Sequence, residues 1–209
     1  MNRRVESHFL WGSYSPLSSL TGCAIVIMAS SRLAFAIFCA GAILWVYTLS
    51  SLLYFVPKSV LPSWGKQIIH IFVVSLITSL YLFFGTLINP LLVLGCWFII
   101  ILIPVSLISS ELLIQLDDVD PSDALIRAAL EALSLCLLVI ALSLIREPLG
   151  FGSLSFPGGR GGLFEIFSSQ GRGFFPIRLL SVTSGGFLIL GYAIAVYRFF
   201  RKSNLGGDK

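Results

Sequence analysis

The residues of this chain that could hold a metal or move a proton are few: four cysteines, two histidines and ten carboxylates among 209 residues. Cys23 lies inside Ser15–Ala29, SPLSSLTGCAIVIMA, an apolar stretch that opens with Pro16 and is thinned by Ser18, Ser19, Thr21 and Gly22. A membrane segment that is short, rich in small residues and broken lines a site more often than it faces lipid. A similar stretch recurs at Ile103–Leu113, IPVSLISSELL. Cys23, near the middle of the first stretch, therefore sits where a site could be lined. Its plainer reading is a small apolar residue at a helix contact. Cys39, Cys96 and Cys136 also sit in apolar segments and form no CxxC pair. Neither a zinc ribbon nor a disulfide framework is indicated, and these three read as packing residues.

The other polar candidates each carry two readings. Glu111 follows the second broken stretch. Buried, it would serve a cation or proton path; at a helix end it would simply meet water. His70, one turn from Lys66, reads as an interface residue. Asp117, Asp118, Asp120 and Asp123 lack the glycine and distal glutamate of an EF-hand loop, so they read as a solvated loop and a helix cap. Arg146-Glu147 reads either as a membrane-boundary ion pair capping a helix end or as a docking point where a long loop meets the bundle. No catalytic triad, phosphate loop or nucleotide-binding domain is visible.

These residues are positioned by a membrane protein. Hydrophobic residues make up 56% of the chain and charged ones 11%, with a mean hydropathy of +0.95. A soluble domain carries roughly twice that charged fraction. The long apolar runs predict an all-α integral membrane protein, since a β-barrel would show short alternating segments. Interruptions by Glu6 and His8 leave the N-terminus without an apparent signal peptide. Six segments are expected: 16–29, 33–55, 67–88, 91–114, 121–145 and 179–197. Asn89-Pro90 is a turn. Asp120-Pro121 with Asp123 predicts a helix start, and Arg127 and Glu131, four apart, are expected to pair. Residues 147–177 are expected to form a long loop that partly re-enters the interface. Gly185, Gly186 and Gly191 predict close helix contact in the last segment. Six segments put both termini on one side. Nine of the fourteen basic residues then fall with the termini and five opposite, so the positive-inside rule places the termini in the cytoplasm. The net charge of +4 is topology information and not a nucleic-acid footprint.

The segments form a single domain over 1–209 that splits into two sets of three, about 16–88 and 91–200. Each set opens on a proline followed by small polar residues. With three segments per half, the second half is inverted relative to the first, an arrangement that puts functional groups near the midplane where the broken helices meet.

The run Leu144-Ile-Arg146-Glu147-Pro-Leu-Gly150-Phe-Gly152-Ser153-Leu154 resembles the "IRE-x-LG-x-G-x-LFG" signature in membrane subunits of the Rnf and Na⁺-pumping NADH:quinone oxidoreductase (Nqr) complexes, of the RnfE/NqrD type. Ser184–Ala195 resembles that family's last helix, "PPGAF-x-x-LG-x-x-x-A". The resemblance covers nearly the whole chain. It implies a six-helix subunit of a bacterial inner membrane, paired with a homologous six-helix subunit of opposite topology. Together the two hold an intramembrane 2Fe–2S cluster through one cysteine from each of two broken helices in each subunit. Electrons cross there between a cytoplasmic donor module and flavin subunits, coupled to Na⁺ or H⁺ transport. Cys23 takes the place of the first family cysteine. The second lies in "IP-x-x-x-x-NC", and the matching positions here are Ser109 and Ser110, so the cluster-binding pair implied is Cys23 and Ser110. Cys96 lies eight residues before Pro104. A serine alkoxide is a harder and far more basic ligand than a thiolate. Two alternatives stand beside the complex subunit: a stand-alone inverted-repeat secondary transporter, and a structural subunit that keeps the fold but has lost the cluster.

Overall fold

The computed structural model describes residues 20–58, 63–109, 121–158, 162–168 and 177–205. Among them lie α1 (Leu20–Ala29), α2 (Leu33–Lys58), α3 (Ser63–Ile88), α4 (Pro90–Ser109) and α5 (Pro121–Phe151). A hairpin of β1 (Ser153–Pro157) and β2 (Leu163–Ser168) follows, then α6 (Arg178–Ser181) and α7 (Thr183–Leu205). Four of the six expected segments appear as helices long and apolar enough to cross a membrane, at 33–54, 68–88, 90–109 and 122–151. The first and last are shorter. The ten residues of α1 rise about 15 Å, half of a hydrocarbon layer, and the apolar part of α7 covers Thr183–Val196.

The core lies where α2 packs along α5, its most extensive contact. Ala124, Ala128, Ala132 and Cys136 repeat every fourth residue on α5, and all are buried. Against them α2 buries Ala36, Ala40, Ile43, Val46 and Tyr47. Small residues let two backbones approach closely, which is how helices gain packing energy where lipid offers no hydrophobic drive. The Cys136 thiol donates to the Ala40 carbonyl at 3.2 Å across this seam. Cys39, Cys96 and Cys136 are all buried packing residues, as expected. Outward faces are apolar: Phe72, Leu76, Phe83 and Leu87 on α3 and Leu94 on α4 are each more than 60% exposed. Among lipid chains that surface is at home.

Several expectations are corrected. Residues 147–177 are not a plain loop. The helix of the fifth segment continues past Ile145 to Phe151 with Pro148 inside it, and Gly152 N–H still reaches Pro148 O at 3.0 Å. The antiparallel hairpin that follows pairs Ser153 with Ser168 and Leu154 with Phe167, then resumes past a bulge with Ser155 opposite Glu165. The protein is therefore mostly helical and not all-α. His70, the third residue of the span 68–88, is at the span's end where an interface residue would lie; it is buried there with its ring stacked on Tyr54 at 4.2 Å between centroids. Arg127 is exposed, whereas Glu131 is half-buried with Oε2 turned inward and no hydrogen-bond partner there. Helix packing against α2 outweighs a local ion pair that is worth only about 0.5 kcal/mol. Gly185 and Gly186 meet close neighbours, but Gly191 faces open space. α5 begins at Pro121 with Asp123 in its first turn, as expected; Asp117, Asp118, Asp120, Ser110 and Glu111 lie outside the described residues.

Asn89 shows how the hairpin is held. It precedes Pro90, and its Oδ1 accepts the Leu92 N–H at 3.0 Å, capping α4 with proline at the first helical position. Its Nδ2 donates to the carbonyls of Gly158 and, at 2.8 Å, Gly162. Gly162 has φ +88°, a backbone that a side chain would strain. One amide thus ties the α3–α4 turn to the hairpin tip. Asn89→Ala is expected to lower stability by about 2 kcal/mol, as loss of a cap plus a buried hydrogen bond. Asn89→Asp keeps the cap acceptor but, at this buried position, turns its second oxygen onto the Gly158 and Gly162 carbonyls, so it should lose at least as much. Thermal unfolding in detergent reads both, and hydrogen exchange at Gly162 should rise in both.

Candidate functional site

The two stretches meet, although the second is not broken at its proline: α4 runs through Pro104 to Ser109 as one helix. Thr21, in the first turn of α1, shares a hydrogen bond of 2.8 Å between hydroxyls with Ser109, at the end of α4 and 88 residues away. Ser109 Oγ also lies 3.1 Å from the Ser106 carbonyl, one turn back along α4. α1 therefore begins beside the α4 terminus and ends at the opposite, hairpin end of the bundle. Cys23, half-buried, lies two residues from Thr21. Of the implied pair, Cys23 lies on the same first turns of α1, but two residues on along a helix it does not share the face on which Thr21 meets Ser109. Ser110 lies outside the described residues; its neighbour Ser109 supplies the contact.

What fixes α1 in this position is the Arg146-Glu147 pair, both residues under 3% exposed. The two side chains do not serve each other. Arg146 Nε donates to Leu180 O at 2.8 Å, Nη1 to Ile27 O at 2.6 Å and Ser30 Oγ at 3.2 Å, and Nη2 to Ser181 O at 3.2 Å and Val182 O at 2.8 Å. Ile27 lies in the last turn of α1, and the other carbonyls close α6. The end of a helix leaves carbonyls without partners and carries partial negative charge, which a guanidinium meets on both counts. Glu147 faces the other way. Its Oε2 accepts the Leu33 N–H at 2.7 Å, at the start of α2, and its Oε1 accepts the Ser155 N–H of β1 at 2.9 Å. A carboxylate belongs at a helix start for the converse reason. Gly186 makes room for this brace, because a Cβ there would stand 2.7 Å from Ile27 and 3.0 Å from Arg146 Nη1. Arg32 adds a weak outer link, 3.9 Å from Glu165 and 4.9 Å from the centre of the Phe151 ring.

Sequence reasoning found Arg146 and Glu147 and their capping role, but paired them with each other. It missed Tyr47, Ser106, the inward face of Glu131 and the tie from Asn89 to the hairpin. The signal for Asn89 was its place before Pro90. Nothing local marks Tyr47 or Ser106, whose neighbours come from other helices.

No protein-family model matches the chain, and no curated protein matches it.

Proposed function

We propose that this chain is a membrane subunit of an Rnf/Nqr-like ion-translocating oxidoreductase complex, with the broken-helix frame of that family and without a two-thiolate share of its cluster. The observation that carries the reading is the Thr21–Ser109 contact, which joins the two stretches that the inverted-repeat reading pairs. The signature residues Arg146 and Glu147 support it, since they hold the short helix in place from the hairpin end. In this reading the chain has two inverted three-segment halves in a bacterial inner membrane, its termini are cytoplasmic, and its partner is a homologous subunit of opposite topology.

The donor set bears on the cofactor. A 2Fe–2S cluster is held by four thiolates, or by two with two histidines. Near the junction the described residues offer Cys23 and hydroxyls, and Ser109 is already engaged by Thr21. Cys96 is buried and lies beside Cys39. No group of three or more His, Cys, Asp or Glu able to hold a metal occurs among the described residues. One sulfur and a serine do not fit half of a four-thiolate site, so no electron step is routed through this chain. Its own residues orient the short helix and present apolar faces to neighbouring subunits and lipid.

The test is affinity purification from native membranes in mild detergent, using a tag on this chain. Homologous six-helix, flavin and iron–sulfur subunits are expected to co-purify. Iron and acid-labile sulfide per complex should be the same in Cys23→Ala as in the wild type. A chain that purifies alone and moves solute in vesicles would establish the stand-alone transporter instead. Loss of iron in Cys23→Ala would restore Cys23 as a ligand.

A further inference from the structure

Between α2, α4 and α5 lies a group of polar atoms that the hydrogen bonding of the fold leaves unused. Tyr47 Oη, Ser106 Oγ and Glu131 Oε2 are all buried and have no hydrogen-bond partner. Tyr47 is 1% exposed and Ser106 is fully buried. The Leu33–Glu147 and Ala40–Cys136 bonds set α2 and α5 antiparallel in a register that puts Glu131 level with Tyr47, and Phe35 packed against Gly95 puts Ser106 of α4 at the same depth. Ser50, one turn along α2 from Tyr47 and fully buried, adds another unpartnered hydroxyl. All of these residues lie within the spans 33–54, 90–109 and 122–151. Glu131 is ten residues into α5, about 15 Å along its axis.

Buried polar atoms are paired in the great majority of cases, and each unpaired one costs about 1–3 kcal/mol. A carboxylate within the hydrocarbon depth is costlier still and marks ion or proton pathways. Nearby groups relieve it only in part. On α5 itself the exposed Arg127 offsets some of the charge from a distance without reaching Oε2, and the Cys136 thiol is committed to Ala40 O. The Ser134 hydroxyl donates to the Glu131 carbonyl and not to its side chain. What the cluster offers is a set of hard oxygen donors with one negative charge. Divalent cations take six or more oxygens and generally more than one carboxylate. A single carboxylate with a phenol and aliphatic hydroxyls suits a small monovalent cation. The Ser109–Thr21 hydroxyl pair begins one turn along α4 from Ser106, which extends the polar seam toward α1.

We propose that Tyr47, Ser106 and Glu131 form an intramembrane site for a monovalent cation, with Glu131 as its anionic ligand. The site stands on these contacts alone and holds equally for a complex subunit or a stand-alone carrier.

The test uses the full protein extracted from its own membrane, with sodium chloride as the probe and choline chloride at equal ionic strength as the reference. Dicyclohexylcarbodiimide, which attacks protonated carboxyls in apolar surroundings, should label Glu131 in choline, as read by peptide mass spectrometry. Sodium should slow that labelling, by roughly tenfold at ten times the dissociation constant, because labelling follows the unoccupied fraction. Tyr47→Phe and Ser106→Ala should each shift the protective sodium concentration upward. Sodium should also raise the unfolding temperature of the wild type and leave that of Glu131→Gln unmoved. The proposal is overturned if Glu131 is not labelled in choline, or if its labelling responds to pH and not to sodium. Equal sodium stabilisation of wild type and Glu131→Gln would overturn it too.

Discussion

Arg146→Met should be among the most damaging single substitutions in the protein, lowering its stability by about 3–5 kcal/mol, the usual cost of removing one side of a buried charged network. Methionine fills much the same volume but donates nothing. The carbonyls of Ile27, Leu180, Ser181 and Val182 would then be left without the donor that meets them. Arg146→Lys should recover part of the loss. Its ammonium keeps the charge but has three donors on one atom, whereas the guanidinium spreads five in a fixed plane. The check is thermal unfolding in detergent, with hydrogen exchange resolved by peptide. Exchange should rise over 20–29 and 178–182 and stay low in α3 and α4, which do not touch the brace. An unfolding midpoint equal to that of the wild type would refute the structural role.

Glu147→Ala should cost a comparable amount, about 3 kcal/mol, as two hydrogen bonds to a charged group at about 1.5–3 kcal/mol each, partly offset by relief of burying the charge. The bonds lost are those to the Leu33 and Ser155 amides. Here the damage should appear elsewhere, at the start of α2 and in the hairpin. Glu147→Gln keeps one acceptor oxygen and turns the other into a donor facing an amide, so it should fall between wild type and alanine. Titration with a denaturing detergent separates the three proteins. Exchange at the Ser155 amide would rise in both variants if the carboxylate holds the strand, and an unchanged amide would refute this.

The long apolar runs made the four spans legible, because a run of about twenty apolar residues matches the thickness of the hydrocarbon layer. Asn89-Pro90 and Pro121 were legible as well, since their effect is set by the backbone within a turn. Ser15–Ala29 and Ile103–Leu113 could be paired from their shared pattern, and Thr21 and Ser109 do touch. The errors lie where a partner distant in sequence decides the outcome. Pro148 reads as a helix end, yet the helix runs on for three residues because Arg146 and Glu147 are anchored on both sides of it. Ser153-Leu154-Ser155-Phe156 does alternate as a strand should. The surrounding glycines and arginines obscured so short a run. Glu131 looked paired with Arg127 because local spacing says nothing of the fully buried Ala128 and Ala132, which turn that face of the helix toward α2.

Arg146 and Glu147 adjoin in sequence but draw on partners made at different times. Ile27, Ser30 and Leu33 leave the ribosome well before α5; Ser155 and the carbonyls of Leu180, Ser181 and Val182 follow it. During synthesis the pair therefore enters the membrane half-satisfied; the hairpin strand then completes Glu147, and α6 completes Arg146. A chain cut short before α6 would carry an arginine with three of its five acceptors missing. In this way the brace makes full-length synthesis a condition of a settled bundle, and truncated products are left open to membrane proteases.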